Sequence, residues 1–270
     1  MLIYLFNPFH TGSHQRWAEE YVAHSGHTVR CFSLPGRHWK WRMHGAAVRM
    51  AQMLLSQTER PDLILTTDMM DVATFKALTA RVTATIPVVV YFHENQLTYP
   101  WSPTDEDVPL QRDRHYAWLN YTSALAADAC FFNSHYHQED FMAALVGFLK
   151  AFPDEQPFDT IDAIRAKSRV VHLGMELPPV SSIIEKQPAE RPVLLWNHRW
   201  EFDKNPASFF RFASSYRKLG MILGWWYWER IMPKPRPFSV KRTINFNATY
   251  CIGAMPRIGR ITCIGCNVHT

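Results

Sequence analysis

Residues 86–92 read Ile-Pro-Val-Val-Val-Tyr-Phe, a run with no charge and no polar–apolar alternation. A strand with one solvated face alternates. A strand apolar at successive positions is buried on both faces, as in the centre of a parallel sheet. Such a sheet must be covered by helices on both sides, so this run alone narrows the fold to α/β. The surrounding chain supplies the other layers. Residues 2–6 are an apolar run closed by Asn7-Pro8, a strand with a turn signal. Residues 15–24 have helical character, and residues 28–34 alternate up to Pro35-Gly36. Residues 44–57 form an amphipathic helix, and residues 61–67 are a third strand. Asp68 or Asp71 can cap the next helix, which runs to about Thr79. Residues 116–127 read as helix and 129–132 as a fifth strand; Asn133 and Ser134 then cap a helix from His135 towards Lys150. A short helix at 161–166 and a strand with a Gly turn at 169–177 follow. Repeated βα units predict a Rossmann-type, doubly wound parallel sheet.

Ligands bind such sheets at the carboxyl ends of the strands. Just past the 86–92 run stands His93-Glu-Asn-Gln-Leu-Thr-Tyr-Pro100. Glu94 can act as a base, and His93 as a base or hydroxyl-binding group; capping and loop hydrogen bonding are the alternative. The first βα turn, His10-Thr-Gly-Ser-His14, has one Gly and lacks the three-Gly dinucleotide fingerprint, which argues against an NAD-type oxidoreductase. Arg37-His-Trp-Lys-Trp-Arg42 interleaves cations and aromatics. That pattern suits single-stranded RNA and also plain loop packing. His135 and His137 are two apart and do not share a helical face, which argues against a metal pair.

A second domain is announced by Pro179, Pro188 and Pro192, which make residues 179–192 an extended linker. Residues 193–196 then read as a buried strand, followed by a polar turn with Asn197, Arg199 and Lys204. Asn205 is the expected N-cap of the next helix and Pro206 its first residue. Two cations between a strand end and a helix N-terminus suit a pyrophosphate; a surface turn with two solvated cations is the alternative. The expected division is therefore 1–178, a linker at 179–192, the start of a second domain at 193–218, and a tail at 219–270. From Leu219 onward neither helical nor strand period persists, so the tail reads as aberrant or out of frame.

Charge follows the same division. The chain carries a net +5, yet residues 219–270 hold seven Lys or Arg against Glu229 alone, leaving the first 218 residues slightly acidic. The basic balance therefore says nothing about the folded part. Cys263-x-x-Cys266 with Cys251 and His269 fits no standard zinc spacing. No run of 18 apolar residues occurs, and residues 1–8 lack the basic region and cleavage site of a signal peptide, so a cytoplasmic location away from membranes is expected.

Asn197-His-Arg-Trp-Glu-Phe-Asp-Lys-Asn-Pro206 resembles the donor loop of family 4 retaining glycosyltransferases, Gly-Arg-Leu-x-x-x-Lys-Gly, with the same Arg-to-Lys spacing. That block and Phe92-His-Glu-Asn-Gln-Leu-Thr-Tyr-Pro100 are similar to signature blocks of the glycosyltransferase-like domain-containing protein 1 family, the tRNA-queuosine α-mannosyltransferases. The resemblance covers roughly residues 1–217. It implies a GT-B-like architecture of two Rossmann-like domains, here with the second truncated. It implies mannose transfer from GDP-mannose to queuosine in tRNA with retention of configuration, with no metal and no cofactor beyond the donor. Arg199, Lys204 and Asn197 would bind the donor, and His93 and Glu94 would lie near the acceptor hydroxyl and transferred sugar. Thr11, Gly12 and Ser13 would face the cleft. The chain lacks the family's Glu-Phe-Phe-Gly-like nucleotide-sugar motif, so impaired activity is expected. A non-catalytic RNA- or nucleotide-binding module is the alternative.

Overall fold

The computed structural model describes residues 1–110, 113–174, 176, 193–196, 198, 201–218 and 224–227. The chain divides into two compact units, 1–177 and 178–270.

In the first unit six strands form one parallel sheet: β1 (Leu2–His10), β2 (Thr28–Pro35), β3 (Leu63–Thr67), β4 (Val88–Phe92), β5 (Ala129–Phe132) and β6 (Ser168–Val170). Their order is β2-β1-β3-β4-β5-β6. Chain direction across the sheet reverses between β1 and β3, which makes the carboxyl ends of those strands the switch point where doubly wound folds place ligands. All five residues of β4 are buried, as the unbroken apolar run requires.

Alternation within each strand sorts the core. Tyr4, Phe6, Val88, Val90 and Phe92 point to one face, under α2 (Trp39–Leu55), α3 (Val72–Leu78), α5 (Asp113–Ala126), α6 (His135–Lys150) and α7 (Asp159–Ala166). Ile3, Leu5, Val89 and Tyr91 point to the other, under Ala18 and Trp17 of α1 (Gly12–His24). A short α4 (Ala80–Thr83) completes the unit. Among the described residues no helix is long and apolar enough to cross a membrane.

Several boundaries differ from the sequence pattern, each for a local reason. β1 runs on through Asn7-Pro8 to His10 instead of turning there. Pro8 is accommodated because β3 pairs only with residues 3–6 of β1, and the β2 ladder shifts register between Asn7 and His10. The missing N–H thus falls where no ladder bond is needed. Helix α2 starts at Trp39, so four of the six residues of the Arg37–Arg42 patch are helical. Two of its cations are engaged within the fold. Lys40 Nζ bonds Asp105 (2.6 Å) and Asp107, and Arg42 donates to the Pro35 carbonyl at 3.1 Å. Trp39 lies against Tyr116 (5.1 Å) and Trp101 (5.9 Å). Packing accounts for Trp39, Lys40 and Arg42, while Arg37 and Trp41 are exposed.

In the second unit, β7 (Val193–Trp196) pairs in parallel with β8 (Gly224–Tyr227), with α8 (Pro206–Lys218) between them in sequence. Trp196 packs on Phe209 and Phe210 of α8 at 4.9 and 5.9 Å. Of the stretch after Leu219, where the sequence period indicates no element, residues 224–227 form a strand. Residues 228–270, most of the predicted tail, lie outside the described residues, as do residues 177–192, which hold the predicted linker.

Candidate functional site

Three chain segments meet at the carboxyl ends of β1, β3 and β4. Asp68 follows β3 directly, and the parallel register that sets Thr67 beside Tyr91 brings Asp68 level with the end of β4. Its Oδ1 accepts the backbone N–H of His93 at 3.0 Å and lies 3.3 Å from His93 Nδ1. A carboxylate can only accept, so that contact puts a proton on His93 Nδ1. Asp68 is completely buried; burial pushes its carboxyl up, but the His93 hydrogen bonds and the neighbouring imidazoles outweigh this and hold it below the ordinary value. It is therefore an ionised carboxylate inside the protein.

His14 completes the group. It sits in the first turn of α1, with its ring centroid 4.4 Å from that of His93. Burial drives its pKa down to about 4 against the opposing pull of Asp68, so the ring is neutral at pH 7. Trp17 meets His93 edge-on at 4.6 Å and Tyr91 lies at 4.9 Å, which walls the cluster on the α1 side.

The loop after β4 is held in place by amides. Asn120 of α5 donates to the Asp68 carbonyl at 3.0 Å and accepts the Gln96 N–H at 2.7 Å. Asn95 Oδ1 accepts the N–H groups of Leu97 and Thr98, closing a turn. Asn133 donates to the His93 carbonyl at 2.8 Å, and its Oδ1 faces His137 Nδ1 at 3.1 Å. Gln96 donates to Glu94 Oε1 at 3.3 Å. Glu94 is half-buried at the mouth of this loop.

Among the described residues of this unit, Asn7 Oδ1, His14 Nδ1, Thr67 Oγ1, His93 Nε2 and His137 Nε2 are buried without a hydrogen-bond partner. All five belong to strand ends or the helix starts that follow them. Buried polar atoms are nearly always satisfied, so their concentration on one edge of the sheet marks that edge as built for a ligand.

The predicted residues divide accordingly. His93 and Glu94 stand together at the β4 end. Thr11, Gly12 and Ser13 are exposed, Gly12 with φ +54°, and the residue of that turn that joins His93 is His14. Lys204 lies in a single 3₁₀ turn with its Nζ 2.9 Å from Asp203 Oδ2. Asn205 accepts the Ser208 N–H at 3.3 Å, the expected cap. Asn197 and Arg199 lie outside the described residues. His14, Asp68, Asn120 and Asn133 are not singled out as site residues by sequence spacing. The positions of Asp68 and Asn133, each directly after a strand's carboxyl end as His93 is, offered the one signal.

Residues 2–175 match the family described as tRNA-queuosine alpha-mannosyltransferase N-terminal. The chain belongs to the tRNA-queuosine alpha-mannosyltransferase family. A relative of that name from Drosophila melanogaster is 30% identical over 213 residues, which are 76% of this chain and 55% of the relative. The chain thus spans about half the length of that curated relative. The family match takes in the whole six-stranded sheet and the His14–Asp68–His93 group; the second unit lies beyond it.

Proposed function

We propose that this chain forms the acceptor side, and the opening of the donor side, of an enzyme that transfers mannose from GDP-mannose to queuosine in tRNA with retention of configuration. The observation that carries the reading is the family match over residues 2–175, which encloses the polar strand-end cluster. His93 and Glu94 line the wall where the acceptor hydroxyl and the transferred sugar meet. Lys204 and Arg199 neutralise the departing diphosphate, whose charge develops as the glycosidic bond breaks. A diphosphate competes there with Asp203 for the Lys204 ammonium. No metal is needed for that neutralisation, since two cations of the protein supply it. The cations of residues 219–270 add a salt-dependent attraction to tRNA phosphates, and the acceptor places the reaction in the cytoplasm.

The test compares tRNA containing queuosine with the same tRNA lacking it. The 270-residue chain should bind the modified tRNA more tightly, and Glu94→Ala should narrow the difference. Incubation at enzyme excess with radiolabelled GDP-mannose should give slow incorporation. Equal affinity for the two tRNAs, together with no incorporation, would overturn the reading.

A further inference from the structure

We propose that His14, Asp68 and His93 hold a divalent transition-metal ion of the zinc class. Each offers one ligand atom, and the three atoms lie within 4.8 Å of one another. The residues come from three separate connections: the start of α1, the end of β3 and the end of β4. Ligand atoms around a tetrahedral ion with bonds of about 2.0–2.2 Å stand roughly 3.3–3.5 Å apart. Asp68 Oδ1 and His93 Nδ1 are 3.3 Å apart; an ion bound between them would take the place of the Nδ1 proton, which passes to Nε2, and the His14 ring would close on the pair.

The bare Asp–His pair is the simpler description, and it leaves one fact unexplained. His14 is 8% exposed, its Nδ1 is buried without a partner, and it stands beside a buried carboxylate. That nitrogen lacks a partner, and an ion shared with Asp68 supplies one when the ring proton sits on Nε2. Two imidazoles and a carboxylate are a donor set suited to zinc, as three protein ligands with a further position open. The backbone that carries the three residues is also fixed by side-chain amides. Asn7 Nδ2 donates to the His14 carbonyl at 3.1 Å, Asn120 holds the Asp68 carbonyl, and Asn133 holds the His93 carbonyl. A bound ion would tie β1, β3 and β4 together at the switch point and fix the loop that carries Glu94.

The inference rests on the donor set and stands apart from the transferase reading, and its test uses no sugar or tRNA. Cys251, Cys263 and Cys266 can also take up metal, so the background is the untagged full chain with all three changed to Ser. Cobalt(II) titration should give one ion per chain, with the weak visible bands of a nitrogen–oxygen site and no thiolate charge-transfer band. Zinc should raise the thermal midpoint, and a chelator should reverse the shift. His14→Ala should weaken uptake by more than about 100-fold, the upper range for disturbing even the groups behind a ligand. Asp68→Asn, which keeps the shape of the side chain, should do the same and serves if His14→Ala does not fold. His27→Ala, an exposed histidine elsewhere, should leave uptake unchanged. No uptake by the parent at micromolar metal, or uptake that survives both Asp68→Asn and a folded His14→Ala, would overturn the proposal.

Discussion

Asn120 ties the end of β3 to the loop after β4. It is 1% exposed and bonds both the Asp68 carbonyl and the Gln96 N–H. Asn120→Ala leaves two buried backbone groups unsatisfied, so it should cost about 2–4 kcal/mol in denaturant unfolding. A cost below about 0.5 kcal/mol would show that water replaces the amide without penalty. Asp128 makes a pH-dependent contribution. Burial pushes its carboxyl up, but the Val88 N–H and the ammonium groups of Lys76 and Lys167 outweigh that, and the net effect lowers it from 3.8. A carboxyl depressed on folding stabilises the protein above its unfolded pKa and loses that contribution as pH falls through the folded value. The stability difference between the parent and Asp128→Asn should therefore be constant above about pH 5 and shrink below pH 4. A difference that grows on acidification would refute the assignment. Sequence offered Asp68 and Asp71 as equivalent caps. The chain uses Asp71, which accepts the Thr74 N–H at 2.9 Å, and turns Asp68 under β4. That choice was not legible, because it depends on a partner 25 residues away whose register only the folded sheet supplies.

Elements were legible where their period is long and their neighbours impose nothing else. The buried β4, the five residues it contributes to the core, and the α6 cap at Ser134 follow from pattern and local chemistry. Element ends were less legible, because tertiary pairing decides them. β1 passes through Pro8 since its neighbours stop asking for hydrogen bonds there. The turn after β2 shows the same dependence. A Cβ on Gly36 would lie 2.2 Å from Thr11 Cγ2 and 2.3 Å from Thr11 Cβ, so only glycine lets the β2–α2 turn pass over the β1–α1 turn. Gly36→Ala should destabilise by about 1–3 kcal/mol, the usual cost of overpacking. Thr11→Gly should recover most of that loss in the double variant, although it is unfavourable alone. Additive losses would mean that the two turns do not touch. Lys40 gives an element-scale test of the aromatic patch. It pins residues 105–107 to α2, so Lys40→Met should make residues 101–110 cleave sooner under limited proteolysis. Unchanged cleavage would leave room for Lys40 to serve a ligand instead.

At the scale of the whole molecule, the sequence and the contact pattern both divide the chain near residue 178, and the division has an energetic meaning. Both large apolar clusters, one on each face of the sheet, are built from residues 2–164. Helices α2, α3, α5, α6 and α7 cover one face and α1 the other, and among the described residues the six strands pair only with one another. A parallel sheet is stable only when both faces are covered, and this unit carries its own cover. Residues 1–177 expressed alone should therefore unfold in a single cooperative transition, with the same urea midpoint as the corresponding transition of the full chain. The fragment also separates the proposals by scale. It contains His14, Asp68, His93 and Glu94, and should keep metal uptake and a preference for queuosine-containing tRNA. It lacks Arg199, Lys204 and the cations of residues 219–270, and should lose GDP affinity and most of the salt dependence of tRNA binding. A fragment that binds GDP as tightly as the full chain would move the diphosphate site into the first unit, and would remove the donor role assigned to Arg199 and Lys204.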